Sequence, residues 1–324
     1  MAQGPSHTEL PPGTTEQAPR LTPSALDKPA FLLNVPFSLA GEVANNAWMA
    51  DMDPAERVVD RRRALNQFLQ LYHFLAAETL VYLLPTPQQP GLQDLVYTGN
   101  LGLVPEHLPG RDTAVLANFS TEVRVPETEV GRSFFRAMGY QVLVPPFHWE
   151  GEAELKHLHG NVYAGGYGIR SDPRAYDWMA EQLDMHIVAL AESDPYLYHL
   201  DCTVFPLTRE DTLVCTGMFT REEVRALEGV TNIIDVSIDD CYAGICNSVR
   251  VGNTLVNASH IFELKPNDSD YPGELAKNRR LEDLAAEYGF EPYLFNLSEF
   301  LKSGALLSCM VMHLNRASYN LVLV

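Results

Sequence analysis

Apolar positions along the chain follow two spacings, one typical of helices and one typical of strands. Asp53-Pro54-Ala55-Glu56 places a capping residue, a proline at the first helical position and a glutamate three residues on, and so predicts a helix start. Apolar residues then recur at helical spacing, and we expect them to face a core. The residues of this apolar face are Val58, Leu65, Phe68, Leu69 and Tyr72.

Four further helices are predicted, and each is followed by a short apolar or β-branched run typical of a strand. The helices lie near 126–138, 173–184, 220–229 and 272–288. With the run after the first helix, the strands are Thr79–Leu84, Gln141–Val144, His186–Leu190, Asn232–Val236 and Pro292–Phe295. A helix-then-strand unit thus recurs about five times, at intervals of roughly 45–60 residues. This recurrence predicts either an open parallel α/β sheet or a ring of units about a pseudo-symmetry axis.

The segment 1–29 lacks this periodicity. It is polar and contains Pro5, Pro11, Pro12, Pro19 and Pro23, which predicts a disordered leader. From Phe31 onward the chain shows short turns and no linker. We therefore predict that residues 30–324 form one domain, at the large end for a single core.

The charge balance narrows the range of partners. The chain has 23 Lys and Arg against 42 Asp and Glu, a formal net charge of −19. Such a surface repels phosphate groups, which argues against nucleic acid and anionic membranes as partners. It attracts cations, although acidity also keeps many proteins in solution, so charge alone does not select a ligand. The sequence leaves the oligomeric state open, a homo-oligomer included.

No apolar run is long enough to span a bilayer, and the N-terminus lacks the basic start and apolar core of a signal peptide. Five cysteines are an odd and sparse set, which favours a reduced, cytoplasmic protein over a disulfide scaffold. Cys241 and Cys246 have no matching pair at zinc-finger spacing, so no metal site is expected. The stretch Gly165-Gly166-Tyr167-Gly168 has the wrong spacing for a dinucleotide-binding loop.

The tripeptide His199-Leu200-Asp201 is the first candidate for chemistry. It lies in the run Tyr198–Phe205, which we interpret as a strand end followed by Pro206. Alternation along a strand would place His199 and Asp201 on one face, about 6–7 Å apart. A histidine and a carboxylate facing one ligand can shuttle a proton and hold a cation. A hydrogen-bonded structural histidine is the alternative interpretation.

Glu150 begins an acidic string, Glu150-Gly151-Glu152-Ala153-Glu154, directly after Trp149. A carboxylate here could orient a catalytic histidine, whereas a solvated acidic turn is the commoner use of such a string. If Trp149 is buried, we expect it to place Glu150 partly out of water.

Four other side chains are candidates for a functional site, and each also has an ordinary structural explanation. Cys309, in an apolar segment, is either an inert core thiol or a nucleophile that needs a nearby histidine. Arg170 follows a predicted strand and could pair with a ligand carboxylate or form a surface ion pair. Asn46 and Asn100 lie at turns beside aromatic residues, where amides usually serve the backbone.

The order of these motifs resembles the guanidino-group-modifying superfamily of arginine deiminases, dimethylarginine dimethylaminohydrolases, amidinotransferases and arginine dihydrolases. The resemblance runs from about Phe31 to the C-terminus, and His199-Leu200-Asp201 with a late cysteine is its most specific part. It implies an α/β fold of the pentein type, a single five-bladed αβ propeller. The fivefold recurrence of helix and strand agrees with this expectation.

The resemblance also implies roles for individual residues. It makes Cys309 the nucleophile, His199 the general acid and base, and Glu150 the partner of His199. The expected ligands are Asp201 and Asn100 for the guanidinium nitrogens and Arg170 for the α-carboxylate of an amino acid. It implies a small guanidino substrate such as arginine, and no metal or organic cofactor.

Two departures from the family pattern bear on the reaction. Glu154 stands where many members carry Asp, and Asn100 stands where deiminases carry Asp, while Asn46 matches an Asn of the arginine dihydrolases. An amide can accept from an NH₂ group and donate to a urea oxygen. The sequence is therefore most similar to an arginine dihydrolase, which rebinds a citrulline-like intermediate and hydrolyses it to ornithine.

Three alternatives remain open at this stage. A deiminase or dimethylarginine hydrolase would stop at citrulline. An amidinotransferase would pass the amidino group to an amine. A non-catalytic relative would only bind arginine.

Overall fold

The computed structural model describes residues 21–320, and strands and helices alternate through this part of the chain. Its strands are β1 (Ala30–Asn34), β2 (Leu80–Leu84), β3 (Gly102–Leu103), β4 (Thr113–Leu116), β5 (Gln141–Leu143), β6 (Leu155–His159), β7 (Val162–Tyr167), β8 (His186–Ala191), β9 (Val204–Pro206), β10 (Asp211–Val214), β11 (Asn232–Asp235), β12 (Val249–Val251), β13 (Thr254–Ala258), β14 (Glu291–Phe295) and β15 (Met312–His313). Its α-helices are α1 (Ala47–Asp51), α2 (Arg61–Glu78), α3 (Val125–Ala137), α4 (Gly151–Glu154), α5 (Pro173–Leu183), α6 (Arg221–Glu228), α7 (Ile238–Tyr242), α8 (Tyr271–Tyr288), α9 (Ser298–Leu301) and α10 (Leu307–Met310).

The strands form five small sheets of three strands each: β15-β1-β2, β3-β4-β5, β6-β7-β8, β9-β10-β11 and β12-β13-β14. In every sheet the middle strand pairs antiparallel with one neighbour and parallel with the other. Each parallel strand is reached through one long helix, because a parallel connection needs a crossover. These helices are α2, α3, α5, α6 and α8. The fivefold repeat and the five-bladed αβ fold predicted from the sequence are thus confirmed.

The first sheet joins the two ends of the described chain. In it β15 lies antiparallel to β1, with Phe31 opposite His313 and Leu32 opposite Met312. All five residues of β1 are buried. Phe31 packs in one apolar cluster and Leu32 in the next, as alternation along a strand requires. This pairing fixes the segment of α10 immediately before β15.

Four of the five long helices begin close to their predicted positions, because their starting signals act locally. Thr220 and Glu223 form the reciprocal capping box at α6. Prolines stand in the first turn of α3, α5 and α8, where the missing N–H group costs nothing.

The predicted start of the first long helix at Asp53 is wrong. The Asp53 side chain accepts the N–H of Ala55, two residues on, and closes a local turn rather than capping a helix. Helix α2 begins at Arg61 instead, where the side chain of Asp60 accepts the N–H of Arg63. Val58 is consequently 67% exposed. Phe68, by contrast, is buried in the core as expected.

Alanine substitution should show which of the two aspartates, Asp60 or Asp53, caps helix α2. We expect Asp60→Ala to lower the free energy of unfolding by about 1 kcal/mol, because the first turn of α2 loses its side-chain acceptor. Asp53→Ala is the matched control, with a smaller effect because only an exposed turn is altered. Urea denaturation of both variants measures the difference. Equal losses would contradict the assignment of Asp60 as the cap.

Most of the predicted leader, residues 1–20, lies outside the described residues, and its disorder stays a prediction. From residue 22 the chain is packed: Thr22 and Ser24 are buried, and Ser24 Oγ is 2.5 Å from the hydroxyl of Tyr140. Among the helices of residues 21–320, none combines the length and hydropathy needed to cross a membrane.

Candidate active site

Gly151 sets the position of the first site residue, Glu150. Its φ is +66°, and a Cβ built there would lie 2.5 Å from the backbone carbon of Asn100. Only glycine permits this approach, which brings the start of α4 against the 3₁₀ helix Thr98–Asn100. Trp149 and Glu150 are both fully buried, so the expectation that Trp149 would withdraw Glu150 from water is confirmed.

His199 lies between Glu150 and Asn100. Its Nε2 is 2.9 Å from Oε2 of Glu150, and its Nδ1 is 3.2 Å from Nδ2 of Asn100. The carboxylate can only accept, so Nε2–H donates to Glu150 and Nδ1 is the unprotonated nitrogen, which accepts from Asn100. The geometry therefore leaves Nδ1 as the atom of His199 that can take a proton. The side-chain oxygen of Asn100, Oδ1, is buried with no hydrogen-bond partner among residues 21–320.

Glu150 is held in its ionised form. Burial alone would raise its pKa, but the hydrogen bond from His199 and the charge of Arg170 outweigh burial and lower the pKa well below its usual range. Its Oε1 also accepts from the N–H group and the hydroxyl of Ser120, at 3.1 and 2.7 Å. A fixed negative charge therefore lies directly behind His199.

The segment that carries Asp201 is not the strand predicted from the sequence. His199 has extended backbone, but Leu200–Cys202 is a 3₁₀ helix, and β9 begins only at Val204. The prediction of one strand face for His199 and Asp201 was wrong because the alternation is broken by this turn. The two side chains nevertheless converge on Cys309: Asp201 Oδ2 accepts from the thiol of Cys309 at 3.3 Å, and His199 lines the same cavity as Cys309.

Cys309 lies in α10 and is 5% exposed. Burial and the neighbouring charge of Asp201 raise the pKa of its thiol to about 12. Asn247 Nδ2 lies 3.6 Å from the sulfur and can donate to a thiolate. The neighbouring Ser308 hydroxyl donates to Oδ2 of Asp201 at 2.5 Å, which fixes the carboxylate that faces the sulfur.

Arg170 and Asn46 lie at the site, with most of their polar atoms engaged by the protein. Arg170 is 7% exposed, lies 3.7 Å from Glu150 Oε1 and stacks 4.9 Å from the ring centre of Tyr198. Asn46 donates to the carbonyl of Ser303 at 2.9 Å, and its oxygen caps α1. Ligand binding by either residue stays a prediction.

All of the candidate residues except Glu150 and Asp201 line one polar cavity of about 10 Å³, room for a single water molecule. Its lining is Asn45, Asn46, Asp94, Tyr97, Asn100, Arg124, Arg170, Tyr198, His199, Ser303, Ala305 and Cys309. A larger cavity of about 620 Å³, within the usual range for ligand sites, adjoins it. Tyr198, His199 and Cys309 line both cavities, so Cys309 lies where the two adjoin.

Sequence reasoning missed three polar partners at the site. Asn247 faces the sulfur, Ser120 holds Glu150, and Arg124 lines the polar cavity while paired with Glu127 at 2.8 Å. Asn247 and Ser120 are distant along the chain from the groups that they contact, and no local spacing marks any of the three as a site residue. Within residues 21–320, no cluster of three or more His, Cys, Asp or Glu is placed to hold a metal ion.

Two relatives of this chain are named as enzymes that act on arginine or dimethylarginine. No family model matches the chain. The N(G),N(G)-dimethylarginine dimethylaminohydrolase of Mycobacterium tuberculosis is 28% identical over 302 residues, which are 92% of this chain and 88% of that protein. The bifunctional arginine dihydrolase/ornithine cyclodeaminase ArgZ of Synechocystis sp. is 28% identical over 259 residues, 78% of this chain but only 33% of ArgZ.

Solved structures agree with these relatives. The N-terminal domain of ArgZ bound to product, described as an arginine dihydrolase from cyanobacteria, aligns with a TM-score of 0.75 at 25% identity. That alignment covers 89% of this chain and 97% of the domain. A dimethylarginine dimethylaminohydrolase adduct with S-methyl-L-thiocitrulline aligns with a TM-score of 0.66 at 18% identity, covering 88% and 99%, which shows the same fold.

Proposed function

Because the chain is a member of the guanidino-group-modifying superfamily, we propose that it is a cysteine hydrolase of the guanidino group of arginine or a close analogue. The observation that carries the proposal is that three chemical groups line the larger cavity together: Cys309, Asp201 and His199. Cys309 supplies the sulfur, Asp201 a carboxylate beside it, and His199 a base oriented by Glu150.

The positive charge of the substrate would counteract the effect that keeps Cys309 protonated. Free Cys309 is held as a thiol because its thiolate would be buried beside the charge of Asp201. A guanidinium bound between Asp201 and Asn100 would offset that charge and favour the thiolate. Asn100 Oδ1, unpartnered among residues 21–320, is available to accept one of its N–H groups. Arg170 and Arg124 are the cations of the cavity that could meet an α-carboxylate.

In the first step the thiol proton of Cys309 passes to His199 Nδ1, and the resulting thiolate attacks the guanidino carbon to form a C–S bond. The C–N bond to one terminal nitrogen breaks, and His199 Nδ1 gives a proton to the departing ammonia. In the second step His199 Nδ1 takes a proton from water as the water attacks the thiouronium carbon. The C–S bond then breaks and returns the sulfur. The sum is arginine plus water giving citrulline plus ammonia.

The amide of Asn100 supports a second round on the neutral product. A second carboxylate beside Asp201 would suit a cation and leave a urea oxygen without a donor, whereas an amide can turn and donate to it. Repeating the two steps on citrulline consumes another water and gives ornithine, carbon dioxide and ammonia. We therefore propose an arginine dihydrolase.

Product analysis tests this proposal against its alternatives. The protein is incubated with arginine, and ornithine, citrulline and ammonia are followed together. We expect ornithine with about two ammonia per arginine, the stoichiometry of two hydrolytic rounds. Accumulating citrulline would contradict the second round and indicate a deiminase. Ornithine that forms only with an added amine would indicate amidino transfer.

The raised pKa of Cys309 predicts a pH dependence that can be measured without substrate. Only the thiolate is alkylated, so the rate with neutral iodoacetamide should rise about tenfold per pH unit between pH 7 and 10. Mass spectrometry of the Cys309 peptide gives this rate. A plateau below pH 9 would show that the thiolate is already formed in the free protein and would contradict the inferred role of Asp201.

A further inference from the structure

Behind His199 lie two carboxyl groups that the proposed reaction does not use, those of Glu154 and Glu192. Glu154 ends α4 and is fully buried, and Glu192 follows β8. Both oxygens of Glu192 are buried and meet no N–H or hydroxyl donor within residues 21–320. The carboxyl of Glu192 lies instead beside that of Glu154, because a Cβ built at Gly166 would approach an oxygen of each, Oε2 of Glu154 and Oε1 of Glu192. Two carboxyls in such contact share a proton, because two adjacent negative charges are unfavourable in a buried site.

Gly166 makes room for this pair. A Cβ at Gly166 would lie 2.7 Å from Oε2 of Glu154 and 2.9 Å from Oε1 of Glu192. Strand β7 therefore passes directly against both carboxyls, which accounts for a glycine in the Gly165-Gly166-Tyr167-Gly168 stretch that fits no nucleotide loop. The two carboxyls can lie beside β7 only because residue 166 has no side chain.

Glu154 connects the pair to the catalytic segment. Its Oε2 accepts the N–H of Leu200 at 3.3 Å, the residue between His199 and Asp201. Its Oε1 accepts from the hydroxyl of Ser171 at 3.1 Å. Because both oxygens of Glu154 already accept hydrogen bonds, we assign Glu154 as the ionised member and Glu192 as the member that holds the proton.

The pair faces other titratable groups from each neighbouring element: Glu150, Tyr176, His199, Asp201 and Cys202. Burial raises the pKa of Glu154 to about 7, and burial together with the charge of Glu154 raises that of Glu192 well above its usual range. The charges of Glu150 and Asp201 also oppose a second negative charge on the pair. One proton is therefore retained around neutral pH.

We propose that Glu154 and Glu192 form a carboxyl–carboxylate pair, carrying one proton and one negative charge, that positions the His199-Leu200-Asp201 segment and places this negative charge close to His199. This role rests on the proposed function, in which protonated His199 delivers a proton to departing ammonia. Glu154 acts through the Leu200 N–H and through its charge, and Glu192 acts by keeping Glu154 ionised. Both are positioning residues and do not contact the substrate.

The pH profile of kcat/KM tests the proposal. Glu154→Gln removes the negative charge, so the alkaline limb should move to lower pH by about one unit. Glu192→Ala removes the donor that keeps Glu154 ionised, and the limb should move in the same direction. Glu192→Gln keeps a donor and should restore the limb to its wild-type position. Glu181→Gln, on the exposed face of α5, is the matched control.

A second measurement keeps the pair testable even if arginine is not the substrate. Infrared difference spectra of the full chain at neutral pH should show the carbonyl stretch of a buried protonated carboxylic acid. This band should vanish in Glu192→Gln and persist in Glu181→Gln. A missing band, or variants that lose rate with no movement of the limb, would overturn the proposal. Absence of guanidino hydrolysis with the band present would instead reject the proposed function alone.

Discussion

Cys309→Ala is expected to lower the rate of guanidino hydrolysis by roughly 10⁴-fold or more, because no other group can form the C–S bond of the first step. Ser308 also donates to Oδ2 of Asp201, and His199 keeps its bond to Glu150, so the substitution leaves both groups held in place. The measurement is the initial rate of ammonia release at saturating arginine. Acid quench of the wild type should also trap the amidino group on the Cys309 peptide.

The matched control for this variant is Cys215→Ala. Cys215 is buried to a similar degree but packs in a different apolar cluster and lines neither cavity of the site. We expect its rate to stay within a factor of two of the wild type, since cysteine in a core behaves as a small apolar residue. If Cys309→Ala retained a tenth of the activity or more, covalent catalysis by this residue would be wrong.

Gly151→Ala is expected to cost about 3 kcal/mol or more of folding free energy, the largest stability effect that we predict. The substitution forces a residue with φ of +66° to carry a Cβ only 2.5 to 2.8 Å from the backbone of Asn100 and Gly102. Backbone cannot yield as a flexible side chain can. The start of α4 must therefore move, and Glu150 and Asn100 should both leave His199. Urea denaturation and the residual rate of the folded fraction measure the two consequences.

Gly160→Ala separates the cost of a positive φ from the cost of a clash between the added Cβ and the backbone. Gly160 also has positive φ, +50°, but a Cβ there meets nothing within 4 Å. Its expected cost is about 1 kcal/mol, the conformational cost of a left-handed residue without a clash. If both variants lost the same stability, close approach of α4 to Asn100 would not be the reason for Gly151.

The repeat architecture could be predicted from the sequence because its signals are local. Each helix start is marked by a capping side chain or a proline within one turn, and the strand that follows is marked by its own apolar run. The prediction of a helix start at Asp53 was wrong for the same reason. A local capping pattern is present there, but the Asp53 side chain closes a turn instead of capping a helix. Asp53 even carries the stronger local signal, Pro54 and Glu56, whereas Asp60, the true cap, is followed by three arginines.

The site was predictable only in part, because its contacts join distant parts of the chain. His199 and Cys309 were identified through a motif order, and the structure places both on one cavity. The donor to the sulfur, Asn247, and the partner of Glu154, Glu192, carry no motif. Their importance arises when blades pack together, which no window of sequence contains.

The pairing of β15 with β1 also determines the order in which the enzyme can become active. Asn46 and Asn100 precede Cys309 and β15 along the chain, so they are synthesised before the strand that pairs with β1. A chain that is still growing can therefore build most of its blades while holding no nucleophile. Closure between such distant segments has a large loop entropy, so it should be a late and slow event in folding. Hydrolytic activity would then appear only once β15 has paired with β1, and its recovery during refolding would report the formation of this sheet.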